Sequence, residues 1–253
     1  MTRGTIKFAI ILELKKFEYE LLQHENLLVE GECDKKYIQK LTEYFKIKTP
    51  NIEVLNGADN ALKYLEFYDS YYKNNSMCIK PKIKVIFDND TKGREMFKKV
   101  TAKTYNNISV RCLLINNYMG NANLQVEHNV TNNEIEDLLY PELTCYLINE
   151  LLKKKKMQPI NTIQVCKQIR TKAFSSKGIL ELCEHEKNLN NPENGADISF
   201  VSSGNVTNKI KEGLAGLFNL EANKKLQDLL ENCNKKYPEV KAFLLELCFF
   251  EVF

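Results

Sequence analysis

The chain has 253 residues, 43% of them apolar, and 36 lysines and arginines against 33 aspartates and glutamates, for a formal net charge of +3. That length and apolar share are enough for one large core or two smaller ones, and the composition is that of a globular protein. The near balance of charge excludes a strongly cationic body, so any nucleic-acid partner must be gripped by local basic patches.

The longest apolar runs, "FAIIL" and "FLLELCFF", fall far short of the roughly 20 residues that a membrane span needs. The first is followed by acids and lysines with no small-residue cleavage site, so neither a membrane anchor nor a secretory signal is expected. The 8 cysteines are scattered singly, with no C-x-x-C and no matching histidine spacing. They read as reduced core residues of a cytoplasmic protein, and they point neither to zinc nor to a disulfide framework.

Residues 1–25 are expected to form a helical N-terminal segment, and strand and helix patterns then alternate. "NLLVE" reads as a strand. "DKKYIQKLTEYF" follows with Tyr37, Ile38, Leu41, Tyr44 and Phe45 at helical spacing and Asp34 at the start, where a capping acid belongs. "NIEVL" is strand-like, and "GADNALKYLEFYDSYY" is a helix with Leu62, Leu65 and Tyr68 on one side. "KIKVIF", a β-branched run after Pro81, is the strongest strand signal; "REMFKKVTAKTY" resumes the helical period and "ISVRCLLI" is a further strand. Such alternation predicts a mostly parallel sheet with helices on its faces. The polar stretch from Asn116 to Asn133 reads as a long surface loop. Beyond it, "INELLKKKKMQ", "NVTNKIKEGLAGLFNL", "KKLQDLLENC" and "VKAFLLELCFF" are helical. The expected division is therefore an α/β domain over 26–145 and a helical C-terminal region over 146–253. The lysine run at 153–156 reads as a solvated helix face, the tyrosine-rich helix as packing, and the apolar end as closing the core or making a subunit contact.

In open α/β sheets, ligand and catalytic groups gather beyond the carboxyl ends of the strands. Acids stand there: Glu30 with Asp34 after the first strand, and Asp88 with Asp90 after "KIKVIF". A third cluster, Glu134 with Glu136 and Asp137, follows the polar loop. Hard divalent cations take oxygen ligands, and carboxylates are the usual source. Each cluster alone is also a sound turn or helix cap, so the combination carries the reading: V-E-G-x-x-D on one strand end and Φ-D-x-D-x-x-G on a later one. Gly31 is expected to let the chain turn without crowding the site. Lys92 and Arg94, just past the D-x-D acids, are placed for substrate phosphate, and His128 stands in a polar loop before the third cluster.

This arrangement resembles the Toprim domain of topoisomerases, bacterial primases and nucleases, over about residues 26 to 140. "EIEDLLYPEL" is similar to the third acidic motif of OLD-type nucleases, and "KIKEGLAGLF" resembles the lysine-bearing helix near their C-terminus. The resemblance implies a Rossmann-like, mostly parallel Toprim sheet and a magnesium- or manganese-dependent nuclease using two ions. It implies that Glu30 is the general base or a metal ligand supported by Asp34, that Asp88, Asp90 and Glu136 are metal ligands, and that Thr91 stands beside the metal. Lys211 would offset charge on the phosphate. OLD proteins carry an ATPase with G-x-x-x-x-G-K-[ST], which this sequence lacks. The likeness is to a stand-alone Toprim protein of bacterial anti-phage defence, working on DNA or RNA beside a separate ATPase or sensor, and a homodimer would suit cutting two strands. The alternatives are a Toprim ribonuclease of transfer or ribosomal RNA and a non-catalytic α/β module that binds a partner protein.

Overall fold

The computed structural model describes residues 24–74, 80–115, 134–138, 140–170, 179–193, 205–219, 223–236 and 238–250. The expected N-terminal helix, the polar loop from Asn116 to Asn133 and His128 lie outside these residues.

The elements run β1 (Glu25–Val29), α1 (Glu32–Phe45), β2 (Asn51–Val54), α2 (Asn60–Asn74), β3 (Lys82–Phe87), α3 (Thr91–Thr101) and β4 (Ser109–Leu114). Helices follow: a short α4 (Ile135–Leu138), then α5 (Pro141–Lys154), α6 (Thr162–Arg170), α7 (Ile179–Asn190), α8 (Asn205–Leu217), α9 (Lys224–Lys236) and α10 (Pro238–Cys248). The strands form one parallel sheet in the order β2-β1-β3-β4. The chain is thus an α/β protein with a parallel sheet flanked by helices and a helical C-terminal part. Among the described residues no helix is long and apolar enough to cross a membrane.

Central strands covered on both faces need apolar residues on both, and β1 and β3 have them. Leu27, Val29 and Ile86 point to one face, into a core shared with α1, α5 and the C-terminal helices; Leu28, Val85 and Phe87 point to the other, against α2 and α3. The tyrosine-rich α2 packs as expected, with Tyr68 and Tyr72 buried and Phe67 set edge-on to Tyr68, ring centroids 5.3 Å apart. Lys153 to Lys156 are exposed, and α5 runs across the change of sequence character near residue 146.

One buried charge ties the C-terminal region to the sheet. Lys84, mid-strand in β3 and 0% exposed, donates to the carbonyls of Glu246 and Phe249, with its ammonium 4.6 Å from the Phe250 ring centroid. Lys82 donates to Phe250 O at 2.7 Å. These lysines bind carbonyls in the last turn of α10 and just beyond it, where cations are also favoured by the helix dipole. The apolar C-terminal stretch therefore closes the core through Phe243, Leu244, Leu247 and Phe250, while Leu245 and Phe249 stay exposed.

Candidate active site

β1 and β3 are neighbours in register, Glu25 opposite Lys82 and Leu28 opposite Val85, so both strands end at the same edge. The acids that follow them meet there: the Asp88 backbone N–H donates to Glu30 Oε1 at 2.9 Å. Strand β2 ends beside β1, with Leu55 N donating to Val29 O at 2.8 Å and Gly57 N to Glu30 O at 3.0 Å. The three strand ends enclose a cleft of about 500 Å³ whose walls include Glu30, Asp34, Asn56, Asp88 and Lys211.

Lys211 enters from the C-terminal region because α8 docks on α1 and α5. Leu214, Ala215 and Phe218 are buried in the shared core, and Tyr37 of α1 lies against Phe218 with ring centroids 6.0 Å apart. α8 meets α5 at Gly213, where a Cβ would stand in ordinary contact with Leu151 Cδ2 at 3.4 Å. The Lys211 ammonium reaches Glu134 at 2.7 Å and Glu136 at 3.5 Å. Glu136 is fully buried, and neither of its carboxylate oxygens has a hydrogen-bond partner among the described residues; the same holds for Asp88 Oδ1.

Crowding of acids in a half-dry cleft shows in their proton affinities. Burial, with the negative charges of Asp34 and Asp90, pushes Glu30 up to about 7, against the opposing hydrogen bond from Asp88 N–H and the charge of Lys211. Burial pushes Asp34 up to about 6, and burial together with Asp34 and Glu30 holds Asp88 well above the carboxylate range. Burial likewise raises Glu136 to about 7 although Lys211 opposes it. Burial works against a charge on Lys211, but Glu136, Glu134 and Asp88 outweigh it and keep the ammonium protonated well above its ordinary range.

The carboxylates are the oxygen donors that a hard divalent cation takes, and Asp88 Oδ1 is buried with no hydrogen-bond partner among the described residues. In donor chemistry the cleft fits magnesium or manganese. Among the described residues, no three His, Cys, Asp or Glu side chains are grouped closely enough to hold a metal ion.

Of the residues singled out from sequence, Glu30, Asp34, Asp88 and Lys211 share the cleft, with Glu136 behind Lys211. Asp34 also accepts from Gly31 N at 2.8 Å at the start of α1. The others have different partners. Asp90 caps α3, its Oδ1 accepting from Gly93 N at 2.6 Å. Lys92 pairs with Asp59 at 2.6 Å on the surface, and Arg94 donates to Asn89 O at 2.5 Å and to Asn89 Oδ1 at 3.2 Å. Thr91 is exposed at the start of α3. Thr91, Lys92 and Arg94 are not among the described residues that line the cleft.

The expectation for Gly31 is corrected. Its φ of −140° is extended backbone open to any residue, and a Cβ would meet nothing nearer than Asp34 Oδ2 at 3.8 Å. The glycine the site requires is Gly93, the last of the Φ-D-x-D-x-x-G pattern, where a Cβ would stand 1.9 Å from the Asp88 carbonyl oxygen. Gly93→Ala is expected to cost about 1–3 kcal/mol or more by overpacking and to push the Asp88 turn out of place. Thermal unfolding checks this as a fall of roughly 2–4 °C per kcal/mol, against a Gly31→Ala control that stays near the parent.

Glu134, read from the sequence only as part of the third acidic cluster, makes the shorter pair with Lys211. Among the cleft residues not singled out from the sequence are Asn56 and Gly57. Asn56 and Gly57 form the turn after β2, with positive φ values of 56° and 112°. The Asn-Gly pair directly after a strand was a usable signal, since the same rule that marked Glu30 applies to that strand end.

The fold and the cleft together define an α/β protein with an acid-lined pocket at the carboxyl edge of a parallel sheet. No family model matches the chain, and no curated protein does. A solved structure, that of a hypothetical protein from Pyrococcus horikoshii OT3, is similar at 15% identity and a TM-score of 0.43, the match covering 89% of this chain and 99% of that one.

Proposed function

We propose that the protein is a metal-dependent nuclease of the Toprim kind, hydrolysing phosphodiester bonds of DNA or RNA. The observation that carries the reading is the hydrogen bond from Asp88 N–H to Glu30 Oε1, which joins two acid-bearing strand ends in a cleft shared with Asp34 and Lys211. Glu30, Asp34, Asp88, Asp90 and Glu136 are the carboxylates that the sequence likeness assigns to magnesium or manganese, and to hold an ion they would have to draw closer together than they stand here. Such ions stabilise the charge on the attacking and leaving oxygens of a phosphodiester.

The chain's own groups supply the rest. Glu30, lifted to about 7, is balanced between acid and base near neutral pH, the condition in which a carboxylate can take a proton from water. Lys211 lines the cleft and is held charged there, which supports its role as the cation that meets a phosphate oxygen. The role beside a separate ATPase or sensor in anti-phage defence, and a dimeric form, are part of this proposal on the strength of the sequence likeness.

The test is incubation with single-stranded DNA, duplex DNA, transfer RNA and total RNA, with magnesium, manganese or chelator, alongside Glu30→Ala and Asp88→Ala. Metal-dependent cleavage lost in both variants supports the reading, and the polymer consumed separates a DNA nuclease from a ribonuclease of RNA processing. The capping bonds of Asp34 and Asp90 favour a second reading, a non-catalytic binding module. That module binds no divalent cation and cleaves nothing under any of these conditions.

A further inference from the structure

Cysteines that the sequence scatters singly meet in the helical C-terminal part. Cys145 lies near the start of α5, Cys166 on α6, Cys183 on α7 and Cys233 on α9, and each is a buried free thiol. Helices α6, α7 and α9 all pack on α5, and α6 and α7 also pack on each other. Cys145 thereby comes within hydrogen-bond reach of both Cys166 and Cys183. Cys233 stands at the edge of the group, its Sγ 4.0 Å from Glu142 Oε2, and that carboxylate pairs with Lys236. No three His, Cys, Asp or Glu side chains among the described residues are grouped closely enough to hold a metal ion, which leaves the chemistry of a thiol pair.

Two sulfurs can be bridged only where the backbones that carry them already stand close, and here the packing of α6 on α5 brings them together. Access to the three neighbouring thiols is unequal: Cys145 and Cys183 are 0% exposed and Cys166 is 7% exposed. The Cys145 thiol is held protonated well above its ordinary range. A hydrogen bond from Cys166 opposes this, but the bond to Cys183, burial and the charge of Glu142 outweigh it. The first attack on an oxidant therefore falls to Cys166, which alone of the three opens to solvent.

We infer that Cys145 and Cys166 are a modification site, a thiol pair that a peroxide oxidises to a disulfide within the folded chain. The Cys166 sulfur takes one oxygen of hydrogen peroxide as the O–O bond breaks, giving a sulfenic acid and a water. The Cys145 sulfur then attacks the Cys166 sulfur, the S–S bond forms, and the departing hydroxide takes the Cys145 proton and leaves as a second water. Both thiols are oxidised and one peroxide is reduced. The bond ties α5 to α6 and restricts the unfolded chain, so it stabilises the helical part. Nothing in this chemistry depends on the acid cleft or on nuclease activity.

The experiment treats the full, reduced chain with hydrogen peroxide, blocks the remaining thiols, and maps linked peptides without reduction. The same treatment is given to Cys166→Ser, to Cys183→Ser and to the parent chain in denaturant. The parent is expected to show Cys145 linked to Cys166 and a Tm higher by about 5–10 °C, both reversed by dithiothreitol. Cys183→Ser is expected to keep the linkage and the rise, and Cys166→Ser to show neither, because Cys183 gives the oxidant no opening.

Cys145 left free in the folded parent, Cys145 linked to Cys183 there, a linkage formed only in denaturant, or a linkage that does not raise the Tm overturns the inference. The parent's own peptide map decides the matter even where a variant fails to fold.

Discussion

Glu30→Gln is expected to lower metal-dependent cleavage by about 10²- to 10⁴-fold, the range that a positioned general base supplies. The substitution keeps the side chain's size and an oxygen able to accept from Asp88 N–H, so the joint between the ends of β1 and β3 survives. What it removes is a proton-accepting charge that burial, Asp34 and Asp90 hold at about 7. The sign of the stability change is opposite to that of the activity. A carboxyl whose folded-state value is raised stabilises the fold fully below its unfolded value of about 4.3, and that contribution is lost as pH rises through about 7. At pH 8 the parent therefore bears an unfavourable charge that Glu30→Gln lacks, and the variant is expected to unfold at an equal or higher temperature there. Thermal scans at pH 5 and pH 8, with and without magnesium, check this. Magnesium is expected to raise the parent's Tm at pH 8 and to do so much less in the variant. A variant that cleaves like the parent refutes the role given to Glu30.

Lys211→Met is expected to destabilise the protein by about 3–5 kcal/mol at pH 8, whatever the protein does. It strands Glu136, fully buried and without a hydrogen-bond partner among the described residues, and breaking a buried pair from one side leaves an uncompensated charge. The loss is expected to shrink at pH 5. Glu136 already titrates near 7 with the lysine present, and removing the cation raises it further, so at pH 5 the carboxyl takes a proton and the stranded charge disappears. Denaturant unfolding at the two pH values measures the difference, and adding Glu136→Gln to Lys211→Met is expected to recover part of the stability at pH 8. A loss independent of pH would mean that the lysine acts through packing alone.

Both effects belong to one arrangement, and its parts were not equally legible. "KIKVIF" was readable as a strand because a β-branched run after a proline has few other ways to bury itself, and the observed strand is Lys82–Phe87. Glu30 and Asp88 were readable for a related reason: an apolar run that stops at an acid puts that acid at the edge of the sheet. Helices α6 and α7 were not read as separate elements, since their mixed polar sequences take shape by packing on α5 and on each other.

Local sequence thus determined the alternation of strand and helix, the covering of the central strands on both faces, and the acids at their carboxyl ends. Tertiary structure alone decided the strand order β2-β1-β3-β4, which sets Glu30 beside Asp88 and brings Asn56 to the same cleft. It buried Asp88, one of whose carboxylate oxygens has no hydrogen-bond partner among the described residues. It also decided that the essential close approach falls at Gly93 and not at Gly31, and that Lys211 reaches the acids from a distant helix through the docking of Leu214 and Phe218. Periodicity and capping act over a few neighbouring residues, so they can be read along the chain. Register, close approach and the pairing of buried charge depend on which surfaces meet, and only the folded chain brings those surfaces together.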